Sequence, residues 1–106
     1  MNDKSTLKYL LGWLIAGSRG GSTRSKIIRS LRENPQNAHQ LSTDIEMDYS
    51  TIRHHLAVLY KNKLVVMVGE EYGKTYFLST ILEENYELFE GLSNRFRKKE
   101  KRKKKK

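Results

Sequence analysis

The sequence contains no cysteine and no long run of apolar residues. Without cysteine the chain forms no disulfide and offers no thiolate to a metal ion, which fits an intracellular protein. The longest apolar stretch, residues 10–16, is much shorter than the ~20 residues that span a bilayer. It also lacks the basic start and the small-residue cleavage site of a secretory signal. We therefore expect a cytoplasmic protein with no membrane partner.

The motifs of common enzyme classes are also missing. The sequence has no Gly-x-x-x-x-Gly-Lys phosphate loop, no His-Glu-x-x-His zinc motif, no Gly-x-Ser-x-Gly nucleophile motif and no pair of carboxylates in an apolar setting. The alternative is a small hydrolase or nuclease whose active site would be built from Asp44, Asp48 and His54. We expect no enzymatic activity and no cofactor.

A metal site would have to use histidine and aspartate, because cysteine is absent. His54 and His55 are adjacent, so on a helix their side chains diverge by about 100° and do not easily bind one ion. His55 also borders an apolar face, which favours a packed, hydrogen-bonded histidine. We expect no metal site among the residues considered, which are His39, Asp44, Asp48, His54 and His55.

Positive charge is concentrated at one end of the chain. The formal net charge is +9, and residues 95–106 contain ten Lys or Arg and one Glu, so the remainder is neutral overall. A lysine-rich end is often a solvated, disordered segment. It can also bind nucleic-acid phosphates without reading sequence. We expect residues 98–106 to be a disordered basic tail, and contact with DNA remains open.

Apolar residues at helical spacing predict two helices in the first third of the chain. The first lies within residues 1–22 and ends at a glycine-rich turn. The second covers residues 23–33, and its inward positions are Ile27, Ile28 and Leu31. Its outward positions are basic: Arg24, Lys26, Arg29 and Arg32.

A short helix, a longer helix and a hairpin follow. Asn37 starts the short helix, and Gln40 completes a capping box with it. Asp48 caps the longer helix, residues 49–62. The β-rich runs 64–68 and 75–79 then predict a hairpin.

A last helix is expected over residues 80–97, opened by a capping box of Thr80 and Glu83. The order of elements is that of a winged helix-turn-helix, here residues 23–79. The predicted fold class is therefore mostly α with a small β-hairpin (α+β), a winged helix-turn-helix with additional N- and C-terminal helices.

The longer helix carries the candidate DNA contacts. Ile52, Leu56 and Leu59 share one face and predict its buried side. The opposite face is polar and cationic, and Arg53 on it can make a bidentate contact with guanine. A merely solvated surface is the alternative. The candidate DNA-binding residues are Tyr49, Ser50, Thr51, Arg53, His54, Ala57, Lys61 and, in the hairpin, Lys74.

This segment resembles a known family. Residues 50–59, Ser-Thr-Ile-Arg-His-His-Leu-Ala-Val-Leu, followed by Leu64 and Val65, are similar to the recognition helix and next strand of ArsR-type winged-helix regulators. The pattern Gly-Gly-x-x-Arg-x-x-Ile at 20–27 and Tyr-Gly-x-x-Tyr at 72–76 resemble the archaeal branch. The resemblance implies a homodimeric regulator that binds a pseudo-palindromic promoter site. Many such proteins sense metals through cysteine, which this chain lacks.

Two apolar stripes are candidates for the dimer interface. One lies on the last helix and the other on the first helix. The alternative is that each stripe packs against its own domain. The residues are Leu82, Tyr86, Phe89, Leu92 and Phe96 on the last helix, and Leu7, Leu11 and Leu14 on the first.

We therefore expect a transcriptional regulator that binds double-stranded DNA. An RNA-binding or protein-interaction winged-helix module of the basal transcription or translation machinery is the alternative. The acidic positions Glu83, Glu84, Glu87 and Glu90 suggest docking of basal transcription factors or a solvated face. Activation and repression both remain open, and some archaeal relatives resemble activators of motility genes.

Overall fold

The computed structural model describes the chain over residues 4–70 and 73–104, with side chains described as far as residue 95. Helix α1 covers Lys4–Leu11 and continues as a π-helical segment, Gly12–Ala16. The remaining elements are α2 (Gly21–Glu33), α3 (Ala38–Ile45), α4 (Tyr49–Lys61), β1 (Val65–Val68), β2 (Thr75–Leu78), α5 (Thr80–Glu84) and α6 (Tyr86–Lys104).

These elements form a winged helix-turn-helix, which confirms the predicted α+β fold class. Strands β1 and β2 pair antiparallel, with Val65 opposite Leu78 and Met67 opposite Tyr76. The loop between α2 and α3 adds a single bridge to this hairpin, because Gln36 and Tyr76 exchange backbone hydrogen bonds of 3.3 and 2.8 Å. The wing is thereby fixed to the start of α3.

Side-chain caps explain where α3 and α4 begin. The Asn37 side chain accepts a hydrogen bond from the Gln40 backbone N–H, and the Gln40 side chain accepts one from the Asn37 N–H. This is the predicted capping box, which is confirmed. Asp48 accepts from the Thr51 backbone N–H, as predicted for the cap of α4. Each cap satisfies N–H groups that lack a partner within their helix.

The last helical region differs from the prediction in three ways. The residue before α5 is Ser79, and the predicted Thr80–Glu83 capping box is absent. The helix is interrupted at Asn85, whose backbone N–H bonds to Leu82 and ends α5 after one turn. Helix α6 then continues to Lys104, beyond the expected end at residue 97 and into the expected disordered tail. Lysine and arginine are good helix formers, so nothing in this stretch stops the helix.

Both terminal helices complete the core of the domain itself. Leu82 and Phe89 are fully buried, and so is Leu11. Most of the residues predicted for the dimer interface are therefore buried within their own subunit, which is the alternative packing that the sequence left open. These residues are Leu7, Leu11, Leu14, Leu82 and Phe89, while Tyr86 and Leu92 are half-buried and the Phe96 side chain lies outside the described residues.

Polar contacts attach α6 to α2. Arg29 donates to the Ser93 hydroxyl at 2.6 Å and lies 3.6 Å from Glu90. Arg32 lies 3.7 Å from Glu83 and its guanidinium stands 4.0 Å over the Tyr86 ring. Two of the four acidic positions suggested for partner docking thus pair within the chain. No helix among the described residues has the length and apolar character needed to cross a membrane.

Candidate nucleic-acid interface

Helix α4 separates an apolar face from a polar one. Ile52, Leu56 and Leu59 are fully buried against the rest of the core. The opposite side contains no acidic residue between positions 49 and 61. Its exposed positions are Tyr49, Ser50, Arg53, His54, Ala57, Tyr60 and Lys61, while Thr51 is half-buried; Tyr60 is the one that the sequence did not assign to this surface. The structure thus brings together on one surface the residues that the sequence assigned to it.

A carboxylate stands at the start of this surface. Asp48 accepts hydrogen bonds from the Ser50 hydroxyl and from the Thr51 backbone N–H at 3.1 Å. The Ser50 hydrogen bond, followed by that of Thr51, lowers the pKa of Asp48 below its usual value. Asp48 is therefore negative at neutral pH, and its charge partly offsets the positive end of α4 that it caps. The sequence predicted the cap but not this electrostatic consequence.

Arg53 is held by Tyr49, which in turn stacks on His39. Its Nη1 donates to the Tyr49 hydroxyl at 3.2 Å, and the guanidinium carbon lies 5.8 Å from the centre of the Tyr49 ring. That hydrogen bond raises the pKa of Arg53 above its ordinary value, so the group stays charged. The other contact of Tyr49 is His39, whose ring stacks on it at 4.2 Å and 14°. The sequence suggests His39 only as a possible metal ligand. Its stack on Tyr49 joins α3 to α4, and the sequence alone does not predict this contact.

A cleft opens where this arrangement meets the wing. We call it the Arg53–Lys74 cleft, and its volume is about 250 Å³. Lys74 stands just before β2 and is half-buried, so its position is set by the hairpin. The lining residues are Asn37, Ala38, His39, Tyr49, Arg53, Lys74 and Tyr76. Two cations from different elements therefore face one small space. Glu71 and Tyr72, which the sequence placed in the turn of the wing, lie outside the described residues.

The buried side of α4 is joined to the N-terminal segment by Arg24. The sequence predicted Arg24 to point outward, which is wrong, because only 5% of it is exposed. Its Nε donates to the Leu14 carbonyl at 3.0 Å, its Nη2 donates to the Ser18 hydroxyl and the Arg19 carbonyl, and its Nη1 lies 3.1 Å from Nδ1 of His55. The free-energy cost of burying this charged group is offset by hydrogen bonds on nearly every side of the guanidinium.

His55 is the packed, hydrogen-bonded histidine that the sequence predicted. It is 8% exposed, and Arg24 donates to its ring if Nδ1 is unprotonated. Burial first, then the charge of Arg24 and then His54, lower the pKa of His55. His55 is therefore neutral at pH 7, and the tautomer with the proton on Nε2 fits the contact. We call Arg24, His55 and the loop atoms they contact the Arg24 joint.

Two glycines allow the Arg24 joint to close. Gly20 has a φ of 90°, and a Cβ there would lie 2.7 Å from the His55 ring. A Cβ on Gly21 would lie 1.9 Å from the Ile15 carbonyl oxygen, which is a backbone atom. Only glycine permits this approach of α2 to the π-helical segment. The Gly-Gly pattern at 20–21, which carries part of the family resemblance, therefore has a physical reason in this close contact.

Metal ligands are not clustered in the described part of the chain. No group of three His, Asp or Glu side chains there is arranged to hold an ion. His54 and His55 have their ring centres 5.2 Å apart in an edge-on arrangement, and His55 is occupied by Arg24. His55 therefore has a structural position in the core, whereas His54 lies at the surface.

Comparisons with known proteins agree with this architecture. Residues 21–66 match the model of a family described as bacterial regulatory protein, arsR family. Reduced HlyU from Vibrio cholerae has a similar structure, with 23% identity, a TM-score of 0.60, and coverage of 89% of this chain and 90% of that one. A second HlyU structure gives 21% identity, a TM-score of 0.56, and coverage of 91% and 96%. No curated protein sequence matches the chain. The family match covers α2 to the start of β1 and supports a DNA-binding transcription regulator.

Proposed function

We propose that this chain is a sequence-specific DNA-binding regulator of transcription that acts as a homodimer at promoters. The observation that carries the proposal is the exposed face of α4, which is free of acidic residues and stands beside a wing in a helix-turn-helix that matches the arsR family model. In such folds the second helix of the motif enters the major groove. Double-stranded DNA is the partner, and no catalytic step is involved.

The centre of the exposed face is suited to reading bases. Relative to Arg53, the side chains of Ala57, Ser50, Lys61 and His54 follow at about 40°, 60°, 80° and 100° around the helix. Ile52, Leu56 and Leu59 occupy the opposite side. A lysine can donate to guanine, an alanine methyl can contact thymine, and the Ser50 hydroxyl, whose proton goes to Asp48, can accept a hydrogen bond from a base. These four residues are the proposed base contacts.

The proposed dimer uses a surface that the monomer leaves uncovered. Tyr9 is 80% exposed and Trp13 is 61% exposed, and both line an apolar groove with Leu92 of α6. Large exposed aromatic residues that line one groove are typical of an interaction surface. In a two-fold dimer the same patch serves both subunits, and the two recognition helices would stand roughly 34–36 Å apart.

Sedimentation of point variants tests the dimer. We expect Trp13→Asp and Tyr9→Asp to give folded monomers, because both side chains are exposed in the single subunit. Val68→Asp is the matched control, because Val68 on the wing has the same 61% exposure as Trp13 and lies outside this groove. Dimers in all three variants would remove this surface from the proposal. Phe89→Asp is not informative, because it places a charge in the core.

The regulatory function is tested by selecting genomic duplex fragments with the purified protein at physiological salt. We expect a shared pseudo-palindrome near promoters. His54→Ala with Lys61→Ala should alter or abolish the motif, while Lys4→Ala, an exposed lysine on α1, should keep it. Binding without any motif, or stronger binding to RNA at matched salt, would refute sequence-specific regulation. An archaeal activator of motility genes stays a prediction, which the genes recovered would test.

A further inference from the structure

The Arg53–Lys74 cleft differs from the rest of the α4 surface in being concave. The N-terminus of α3, the N-terminus of α4 and the residue before β2 form its walls. Its volume of about 250 Å³ is below the roughly 300–1,000 Å³ of sites for drug-sized ligands. A small group, or one part of a large ligand, fits such a space.

The charges around the cleft favour an anion. Arg53 and Lys74 are both lining residues, and none of the described residues that line the cleft is acidic. The salt bridges formed by Arg29 and Arg32 have no counterpart here, since no described carboxylate pairs with Arg53 or Lys74. The N-terminal end of α3, with its partial positive charge, opens onto the same space. Two like charges that converge without a counterion are stabilised by an anionic ligand.

Arg53 is also fixed in place before any ligand arrives. Tyr49 accepts its hydrogen bond at 3.2 Å, and His39 stacks on Tyr49 at 4.2 Å. The side chain therefore loses less conformational entropy when it binds than an unsupported arginine does. A planar guanidinium held in one orientation suits two oxygens of a phosphate.

The position of Arg53 on α4 separates it from the base-facing residues. Tyr49 and Arg53 lie at the edge of the exposed face that adjoins the wing, whereas Lys61 and His54 lie about 80° and 100° around the helix. A helix in the major groove directs its central residues to the bases and its edges to the sugar-phosphate backbone. The sequence favoured Arg53 as a reader of guanine, but its surroundings favour a backbone contact.

We infer that the Arg53–Lys74 cleft binds one backbone phosphate of the DNA, which Arg53 and Lys74 hold between the recognition helix and the wing. The inference rests on the proposed function for its ligand. The cleft sets the orientation of α4 in the groove and does not select the base sequence. Tyr49 and His39 are positioning residues that act through Arg53.

The test measures affinity and its salt dependence for two duplexes, the selected site and a mixed-sequence duplex of equal length. We expect Arg53→Ala to weaken binding to both by the same factor, roughly tenfold for each subunit of the dimer, because each subunit loses a charge-assisted hydrogen bond. The slope of log affinity against log salt should decrease by about 2, because one phosphate contact is lost in each half-site. Lys4→Ala, which removes an equal charge elsewhere, should leave the slope nearly unchanged. A loss confined to the selected site, with an unchanged slope, would overturn the inference and restore base reading by Arg53.

A second measurement locates the phosphate. Single phosphates of the selected duplex are replaced in turn by neutral methylphosphonates. At one position in each half-site we expect wild type to lose affinity and Arg53→Ala to show no further loss, with Lys74→Ala behaving alike at the same position. Additive losses at every position would overturn the inference. If wild type selects no motif, the proposed function fails, and the salt slopes of wild type and Arg53→Ala on the mixed-sequence duplex still decide whether the cleft binds phosphate.

Discussion

The molecule contains two arginines on adjoining helices whose surroundings are opposite. Arg24 is buried, and its partners are two backbone carbonyls, a serine hydroxyl and a histidine ring, all of them neutral. Arg53 is exposed, and its side chain donates a hydrogen bond to the Tyr49 hydroxyl. Arg24 uses its N–H donors in hydrogen bonds inside the protein and therefore stabilises the fold. Arg53 keeps donors available to an external anion, so charge alone does not identify a binding residue.

The Arg24 joint depends most strictly on the absence of a side chain at Gly21. Gly21→Ala should lower the free energy of unfolding by about 3 kcal/mol or more, because the new Cβ meets a backbone oxygen that has little room to move. Urea denaturation measures the change. Gly91→Ala is the control: a Cβ there meets no atom within 4 Å, and α6 should gain about 0.5–1 kcal/mol. Equal stability of the two variants would show that the joint is not closely packed.

Exchanging each arginine for alanine tests the comparison directly. Arg24→Ala should cost about 3 kcal/mol of stability, because the buried Leu14 carbonyl and the partly buried Arg19 carbonyl lose their donor. Arg53→Ala should change stability by less than about 0.5 kcal/mol, as exposed substitutions do. Arg24→Lys should not restore stability, since an ammonium cannot reach partners on several sides. Stability losses of similar size at both positions would contradict the contrast between them.

The Arg24 joint should also make stability depend on pH. Its histidine, His55, has a lowered pKa in the folded protein, so below about pH 6.5 the unfolded chain binds more protons than the folded one. The free energy of unfolding should therefore fall as the pH drops from about 6.5 towards the folded pKa, and this contribution should be constant above 6.5. His55→Gln should remove the dependence. His54→Gln, at an exposed position, should retain it; a slope lost in both variants would refute this assignment.

Much of the fold could be predicted from local sequence because its signals are local. The Asn37–Gln40 capping box and the Asp48 cap each lie within four residues, and both formed as expected. Arg24 shows a local signal that was overlooked. It precedes Ile27, Ile28 and Leu31 by three, four and seven residues, which puts it on the inward stripe of α2. The charge of Arg24 suggests an exposed position, whereas its position on the helix correctly indicates a buried one.

The rest depends on contacts between residues distant in sequence. Residues 53 and 74 come from different elements, and the pairing of β2 with the loop at Gln36 helps to bring the wing to the start of α3. Periodicity correctly found the apolar stripes of the terminal helices but could not show what covers them. Leu11 and Phe89 are covered by their own domain, while Trp13, which interrupts the leucine pattern, remains exposed.

The smallest expected effect concerns the hydroxyl partner of each arginine. Ser18→Ala should cost about 1 kcal/mol, because Nη2 of Arg24 donates to this hydroxyl at 2.7 Å in a partly buried place where water cannot fully replace it. Tyr49→Phe removes the acceptor of Arg53, which lies at an exposed site, so stability should change by less than about 0.5 kcal/mol. Denaturation curves of the two variants measure both. If Tyr49→Phe proved the more destabilising, the hydrogen bond from Arg53 to the Tyr49 hydroxyl would stabilise the fold, and Arg53 would share the structural task of Arg24.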